Sequence, residues 1–219
     1  MDWLAWANPL GWDWPLLGKT AMGAGVGTAV VQSLVALVKY RHRQRLVARD
    51  LAANLAGTLE GFARACANFN YRTRTAPAPP ELQYPLYSTS LPELAVYPAD
   101  PEGWRALDLK IASRCLDLRN RIAESQDIMA SACEHADDDP LFDLLKHSSE
   151  RGLEAWKIAS DLRARYSIPK AEPRWNYVDS LERDLKEVEE REAKDAARNA
   201  QFVKELESLG LGPQGATSA

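Results

Sequence analysis

The chain has 219 residues, of which 46% are hydrophobic and 26% charged, a composition typical of an ordinary globular domain. Its charge is unevenly distributed, because the residues after Arg45 hold 22 of the 27 Lys and Arg but 29 of the 31 Asp and Glu. The acidic balance of −7 in this part argues against a nucleic-acid partner, which would need a basic face. Three cysteines are too few for a disulfide-stapled secreted scaffold and favour a reducing compartment.

The first predicted element is a transmembrane helix over residues 16–38. From Thr20 to Val38 the chain has no ionisable side chain, and a helix of that length spans about 28 Å, close to the roughly 30 Å hydrocarbon core of a bilayer. Residues 1–15 are predicted to lie at the membrane interface, where tryptophan is enriched. The tryptophans concerned are Trp3, Trp6, Trp12 and Trp14. The competing interpretation is a buried helix of a soluble protein, which the four glycines and the minimal length would suit.

The end of the apolar stretch is marked by four fixed positive charges, here called the basic collar. The collar consists of Lys39, Arg41, Arg43 and Arg45. Because positive residues flanking a span stay on the cytoplasmic side, the collar predicts a single-pass protein of the inner membrane with its amino terminus outside and the rest of the chain cytoplasmic. A cleaved signal peptide would carry its cations before the apolar stretch, so this alternative is disfavoured.

Gly23 and Gly27 form a GxxxG pair within the apolar stretch. Such a pair lets two helices approach backbone to backbone, so it predicts a homo-oligomer formed through this segment. The alternative is that the glycines only reflect the usual composition of membrane helices.

The next segments are a helix and a connection. Residues 39–74 are predicted to form a basic juxtamembrane stretch and the first cytoplasmic helix, because apolar side chains recur every three or four residues from Leu51 to Phe69. Residues 75–101 contain seven of the 13 prolines, which excludes a regular helix and predicts an extended connection. Its apolar residues, such as Leu91, Leu94 and Tyr97, are expected to pack over the helices.

Residues 102–209 are predicted to complete a helical bundle. Asp100 is a cap for a helix running to about Glu134, a second helix follows Pro140, and the third runs from about Tyr177 to Leu209. Residues 210–219 are predicted to be a disordered tail. No strand-like alternation occurs, so the fold class is all-α: a transmembrane helix followed by an antiparallel bundle of about four helices.

The last predicted helix is strongly charged in its middle and apolar near its end. The apolar residues, here called the terminal patch, are Phe202, Val203, Leu206 and Leu209. They are expected either to dock on the bundle or to bind another protein, for example in a coiled coil.

No pattern in the chain predicts catalysis, a metal or a cofactor. The cluster from Cys133 to Asp139 lacks the paired spacing of a zinc site, and Cys66 and Cys115 fall on apolar stripes where a thiol serves as a small hydrophobe. An enzyme would need His135, His147 and Asp139 to converge.

Two functional hypotheses follow from these features. The first is a non-enzymatic scaffold that positions an unknown protein partner at the cytoplasmic face of the lipid bilayer. The alternative is a self-associating membrane effector that alters permeability through its glycine-rich helix.

Overall fold

The computed structural model describes residues 26–75, 90–134, 140–172 and 175–208. Within these ranges the protein contains five α-helices and no strand, which confirms the all-α prediction. The helices are α1 (Val26–Thr75), α2 (Pro101–Ala106), α3 (Leu109–Glu134), α4 (Pro140–Arg165) and α5 (Tyr177–Ser208).

Helix α4 lies at the centre of the bundle and contacts α1, α3 and α5, while the short α2 packs on α1. Helices α1 and α4 are antiparallel, since Arg163 of α4 binds Glu60 whereas Ser149, more than three turns earlier, contacts Asn70. Helix α5 runs parallel to α1. Asp184 meets Asn70, and Glu187 meets Arg74 farther along both helices.

The core forms where the predicted apolar stripes meet. Leu55, Leu59 and Cys66 of α1 are fully buried, as are Leu162 of α4 and Leu181 of α5. Alanines between the large side chains of α1 let the neighbouring helices approach closely. The buried alanines of α1 are Ala48, Ala52, Ala56, Ala63 and Ala67. This arrangement confirms the helical bundle.

Gly152 marks the closest approach of three helices. A Cβ atom at this position would lie 2.9 Å from Leu181 Cδ1 of α5 and 3.0 Å from Cys66 Cβ of α1. Only a residue without a side chain therefore lets α4 fit between α1 and α5 in the present arrangement.

The second half of the proline-rich connection packs on the bundle as expected. Leu91, Leu94 and Tyr97 are buried in residues 90–100, which contain no regular helix or strand. The Tyr97 hydroxyl donates a hydrogen bond of 2.8 Å to the Cys115 carbonyl oxygen, which fixes the connection against α3. The first part of the connection, residues 76–89, lies outside the described residues.

The prediction of one continuous helix from Asp100 to Glu134 was wrong. Asp100 caps α2 by accepting a bond of 3.0 Å from the Gly103 amide, but the chain becomes extended at Leu107. Asp108 then caps α3 by accepting from the Lys110 amide, while its own amide donates to the Tyr166 hydroxyl at 2.7 Å. The break forms because a second cap and a tertiary hydrogen bond replace the helical bonds.

No helix within the described ranges is both long enough and apolar enough to cross a membrane. The structure therefore does not support the predicted transmembrane helix over residues 16–38, of which residues 16–25 lie outside the described part. Helix α1 does continue without a break through Val38 and Lys39, where the apolar stretch meets the collar. Residues 1–15, with their four tryptophans, and the tail at 210–219 also lie outside the described part.

Candidate functional site

The basic collar lies on the surface of α1, and its four side chains are exposed. Within the described residues, only Arg43 of the collar has a carboxylate partner, Glu102 of α2 at 4.0 Å. No Asp or Glu occurs between Val26 and Arg49, so the positive charge of this part of α1 is not compensated along the helix itself.

The collar belongs to a part of α1 that leaves the bundle. We call residues 26–46 the amino-terminal arm, since every residue from Val31 to Leu46 is exposed. Large apolar side chains are prominent on the arm: Val31, Leu34, Val35, Leu37, Val38 and Leu46. Several large apolar side chains exposed on one helix segment are typical of a lipid or protein contact. Of the predicted association pair, Gly27 lies in α1, and Gly23 lies outside the described residues.

The terminal patch also lies beyond the bundle. Phe202 and Val203 are 60% and 48% exposed, Leu206 is half-buried, and Leu209 lies outside the described residues. Phe202 and Val203 are therefore not docked on the bundle, which is one of the two outcomes that the sequence allows. Residues 189–208, here called the carboxy-terminal arm, are exposed except for two half-buried positions.

The terminal patch continues the face of α5 that packs on the bundle. Leu181, Val188 and Phe202 are separated by multiples of seven residues, so they project from nearly the same side of the helix. Leu181 and Val188 are buried, whereas Phe202 is 60% exposed. The packing face of α5 is therefore longer than the surface that the bundle offers it.

The two arms project from opposite ends of the bundle. Helices α1 and α5 run parallel, and Asp184 and Glu187 of α5 lie level with Asn70 and Arg74 at the end of α1. The amino-terminal arm therefore leaves at one end of the bundle and the carboxy-terminal arm at the other. The first turn of the carboxy-terminal arm still contacts α4, since Glu192 pairs with Lys146 and Arg191 lies over the Phe142 ring. At about 1.5 Å per residue, Leu46 and Phe202 are about 65 Å apart along the helix axes.

A buried polar cluster holds α5 between the arms, and the sequence analysis missed it. Asn70 is fully buried, and its Nδ2 donates to Ser149 Oγ and to Asp184 Oδ2, both at 2.9 Å. Arg74 bridges Asp184 at 3.1 Å and Glu187 at 2.9 Å. Asn70 Nδ2 and Arg74 reach these partners only when the three helices are in register, so the cluster fixes the position of α5. The buried Asn70 Oδ1 has no hydrogen-bond partner within the described residues. The only sequence indication is that Asn70 and Asp184 interrupt apolar stripes.

The thiols and histidines of the bundle do not form a reactive centre in the described residues. Cys66 and Cys115 are free and buried, and burial raises the pKa of the Cys66 thiol to about 12 and that of Cys115 to about 11, so both stay protonated. Burial lowers the pKa of His147. His135 and Asp139, which an enzyme would bring to His147, lie outside the described residues. Within the described part, no three His, Cys, Asp or Glu residues are grouped to hold a metal ion.

A cleft of about 490 Å³ lies at the end of α4. Trp156 and Ile168 line its apolar side, and Glu60 and Arg163 line its polar side. Arg163 Nη2 donates to Glu60 Oε2 at 2.8 Å and Nη1 donates to the Pro169 carbonyl oxygen. Glu60 and Arg163 therefore pair with each other, and Lys170 also lines the cleft.

No known protein family, curated protein or solved structure matches this chain.

Proposed function

We propose that this protein is a membrane-tethered, non-enzymatic scaffold that positions a protein partner at the cytoplasmic face of the bilayer. The observation that carries the proposal is the position of the arms, which leave opposite ends of one packed bundle. One arm combines apolar side chains with a basic collar, and the other presents the terminal patch. A molecule built in this way holds two different contacts at a fixed separation.

The charge distribution supports lipid as the contact of the amino-terminal arm. Residues 1–49 carry six basic and two acidic side chains, whereas residues 50–219 carry 21 and 29. Basic side chains next to an apolar segment are attracted to anionic lipid, and an acidic bundle is repelled from the same surface. In this proposal residues 16–38 cross the bilayer once, the tryptophans of residues 1–15 lie at the outer interface, and the collar lies at the inner one.

The geometry of α5 supports a protein as the contact of the carboxy-terminal arm. Its patch lies about 65 Å from the start of the packed part of α1, too far to share the lipid surface with the collar if α1 stands upright. An amphipathic helix with large apolar anchors commonly binds in a groove of another protein. Phe202 and Leu206, one helical turn apart, are the anchors we assign.

Membrane residence and sidedness are tested together by fractionation of cells producing the chain with a carboxy-terminal tag, followed by protease treatment of sealed membranes. We expect the tag in the membrane fraction, resistant to alkaline carbonate extraction and protected in vesicles with the cytoplasmic side inward. Release of the full-length chain by carbonate would refute the tether.

Partner binding is tested by placing a photo-crosslinking amino acid at Phe202 in the cells that make the protein. The matched control is Ala197, which is also exposed on the carboxy-terminal arm but points about 140° away around the helix. We expect one discrete adduct from position 202 and none from position 197. Equal labelling at both positions, or none at either, would contradict the assignment.

The alternative function, altered membrane permeability through self-association, makes a different prediction for Gly23 and Gly27. Replacing both glycines with leucine would block close helix approach and abolish a permeability effect. A scaffold would keep its activity with these replacements and with an unrelated single-pass anchor. The two functions are therefore separated by one pair of substitutions.

A further inference from the structure

A cleft of about 270 Å³ lies between α1 and α2, beside the collar. Its polar and apolar lining comes from both helices: Tyr40, Arg43, Gln44, Val47, Glu102 and Arg105. It is the place where the packed bundle reaches the amino-terminal arm. A cation contributed by the bundle, Arg105, thereby joins a cation of the collar, Arg43.

The charges of the cleft favour an anion. Two guanidinium groups line it against one carboxylate, that of Glu102. The Arg43 and Glu102 side chains are 78% and 71% exposed and 4.0 Å apart, so water and salt weaken their attraction and an incoming anion competes readily. Arg105 has no ion-pair partner within the described residues.

Helix α2 is held firmly enough to place Arg105. The Trp104 indole N–H donates to the Pro98 carbonyl oxygen at 3.0 Å, and Asp100 caps the helix. On its inner side, Gly103 lies so close to α1 that a Cβ atom there would be 2.9 Å from Leu51 Cβ. The packing of α2 on α1 thus sets the backbone position of Arg105 relative to that of Arg43.

A hydroxyl group completes the donor set. Tyr40 Oη accepts a hydrogen bond of 2.6 Å from Gln44 Nε2, which leaves the hydroxyl hydrogen free to donate. Two guanidinium groups and a hydroxyl are donors that suit phosphate oxygens, because guanidinium binds them in pairs and a charge-assisted bond is stronger than a neutral one.

We propose that this cleft binds the phosphate group of an anionic phospholipid, with Arg43 and Arg105 as its cationic ligands and the Tyr40 hydroxyl as a neutral donor. The inference rests on the proposed membrane tether, which places the collar at the headgroup layer. Binding ties the bundle to the surface through α2 in addition to the apolar arm. It therefore sets the tilt of the bundle and the direction in which the carboxy-terminal arm points.

The test measures lipid retention by the full-length chain in a mild non-ionic detergent, using native mass spectrometry with added phosphatidylglycerol or phosphatidylcholine. We expect phosphatidylglycerol to be retained at least about tenfold more tightly, and Arg105→Gln to remove most of this difference. Glu102→Gln, which removes the competing carboxylate, is expected to raise retention a few-fold.

The matched control is Arg165→Gln. Arg165 is 65% exposed in its side chain and pairs with Asp108 outside the cleft, so the variant removes the same charge without touching the cleft. Circular dichroism checks that each variant is folded. Equal retention by Arg105→Gln and Arg165→Gln, or no preference for phosphatidylglycerol in the unsubstituted protein, would overturn the proposal.

A competition experiment distinguishes a lipid site from a site for free phosphate. Inorganic phosphate is added to the protein with bound phosphatidylglycerol, and lipid retention is measured again. We expect phosphate at millimolar concentration to leave phosphatidylglycerol retention nearly unchanged, since the acyl chains add contact with the apolar arm. Full displacement by phosphate would overturn the lipid assignment. Because these measurements are made in detergent, they are independent of the carbonate extraction that tests the tether itself.

Discussion

The two halves of α1 form the same regular helix and have opposite surroundings. Leu55, in the second half, is completely buried under α4, whereas Leu34, in the first half, is 52% exposed. Both residues are leucines in one uninterrupted helix, so neither residue type nor secondary structure explains their different exposure. The bundle covers only the length of α1 that α4 and α5 can reach, and the apolar pattern continues beyond it. We infer that the exposed apolar side chains of the amino-terminal arm contact a surface outside the bundle.

Helix α5 shows the same contrast in the other direction. Val188 is 1% exposed and Phe202 is 60% exposed on nearly the same face. The bundle thus has a buried core, and apolar side chains remain exposed on the helices that extend from its two ends. Substitutions that compare a bundle position with an arm position test this interpretation.

The largest difference is expected between Leu55→Ala and Leu34→Ala. The first substitution empties a fully buried site and should lower the free energy of unfolding by about 2–5 kcal/mol. The second removes an exposed side chain and should change it by less than about 0.5 kcal/mol. Chemical denaturation of the full chain in mild detergent, followed by circular dichroism, measures both values. Similar decreases in the free energy of unfolding for the two variants would mean that the amino-terminal arm is packed against the bundle.

A smaller difference is expected between Asp184→Ala and Asp195→Ala, two acids on the same side of α5. Asp184 is buried against Asn70 and Arg74, so its removal leaves buried donors unsatisfied and should cost about 1–3 kcal/mol. Asp195 pairs with Arg198 in the carboxy-terminal arm and should contribute less than about 0.5 kcal/mol. The same denaturation experiment checks the pair, and equal effects would place the end of the packed region farther along α5.

Two glycines should respond in opposite directions. Gly57→Ala adds a methyl group with no atom within 4 Å, so the higher helix propensity of alanine should stabilise the protein by up to about 1 kcal/mol. Gly152→Ala gains the same propensity but forces α4 away from Cys66 and Leu181, at a cost of about 1–3 kcal/mol. The melting temperatures of the two variants show whether each substitution stabilises or destabilises the protein. A stabilising Gly152→Ala would show that the three helices do not approach as closely as described.

The smallest effect concerns pH. Burial lowers the pKa of His147, although Glu150 and Asp143 oppose the shift, and Arg121 and Glu124 of α3 lie across the adjacent cleft. Since the folded state resists protonation, stability should be lost as the pH falls below the unfolded pKa of about 6.5. His147→Gln should flatten the dependence of the melting temperature on pH between pH 7 and pH 5. Parallel profiles for the unsubstituted protein and for His147→Gln would rule out this role of His147.

The sequence was sufficient for features that depend on nearby residues. Spacings of three and four residues predicted the buried stripes around Leu55 and Leu181, and the prolines predicted the break before α2. It was not sufficient for contacts between distant residues. The end of α2 depends on the Tyr166 hydroxyl, 58 residues from Asp108, and the Asn70 cluster joins side chains separated by 79 and 114 residues.

The candidate sites divide in the same way. The collar and the terminal patch were visible because their residues are close together along the chain. The cleft of Arg43 and Arg105 was not, because it exists only where α2 packs against α1. Contacts between residues that are far apart in the sequence depend on the tertiary structure, and helical periodicity does not predict them.

The separation of the two arms is measured most directly by double electron–electron resonance between spin labels at Leu46→Cys and Phe202→Cys, with Cys133 replaced by serine and the chain in lipid nanodiscs. Both positions are exposed. The account predicts a single distance distribution centred at about 65 Å. A distribution centred below about 40 Å, as expected if the carboxy-terminal arm folded back along the bundle, would contradict it.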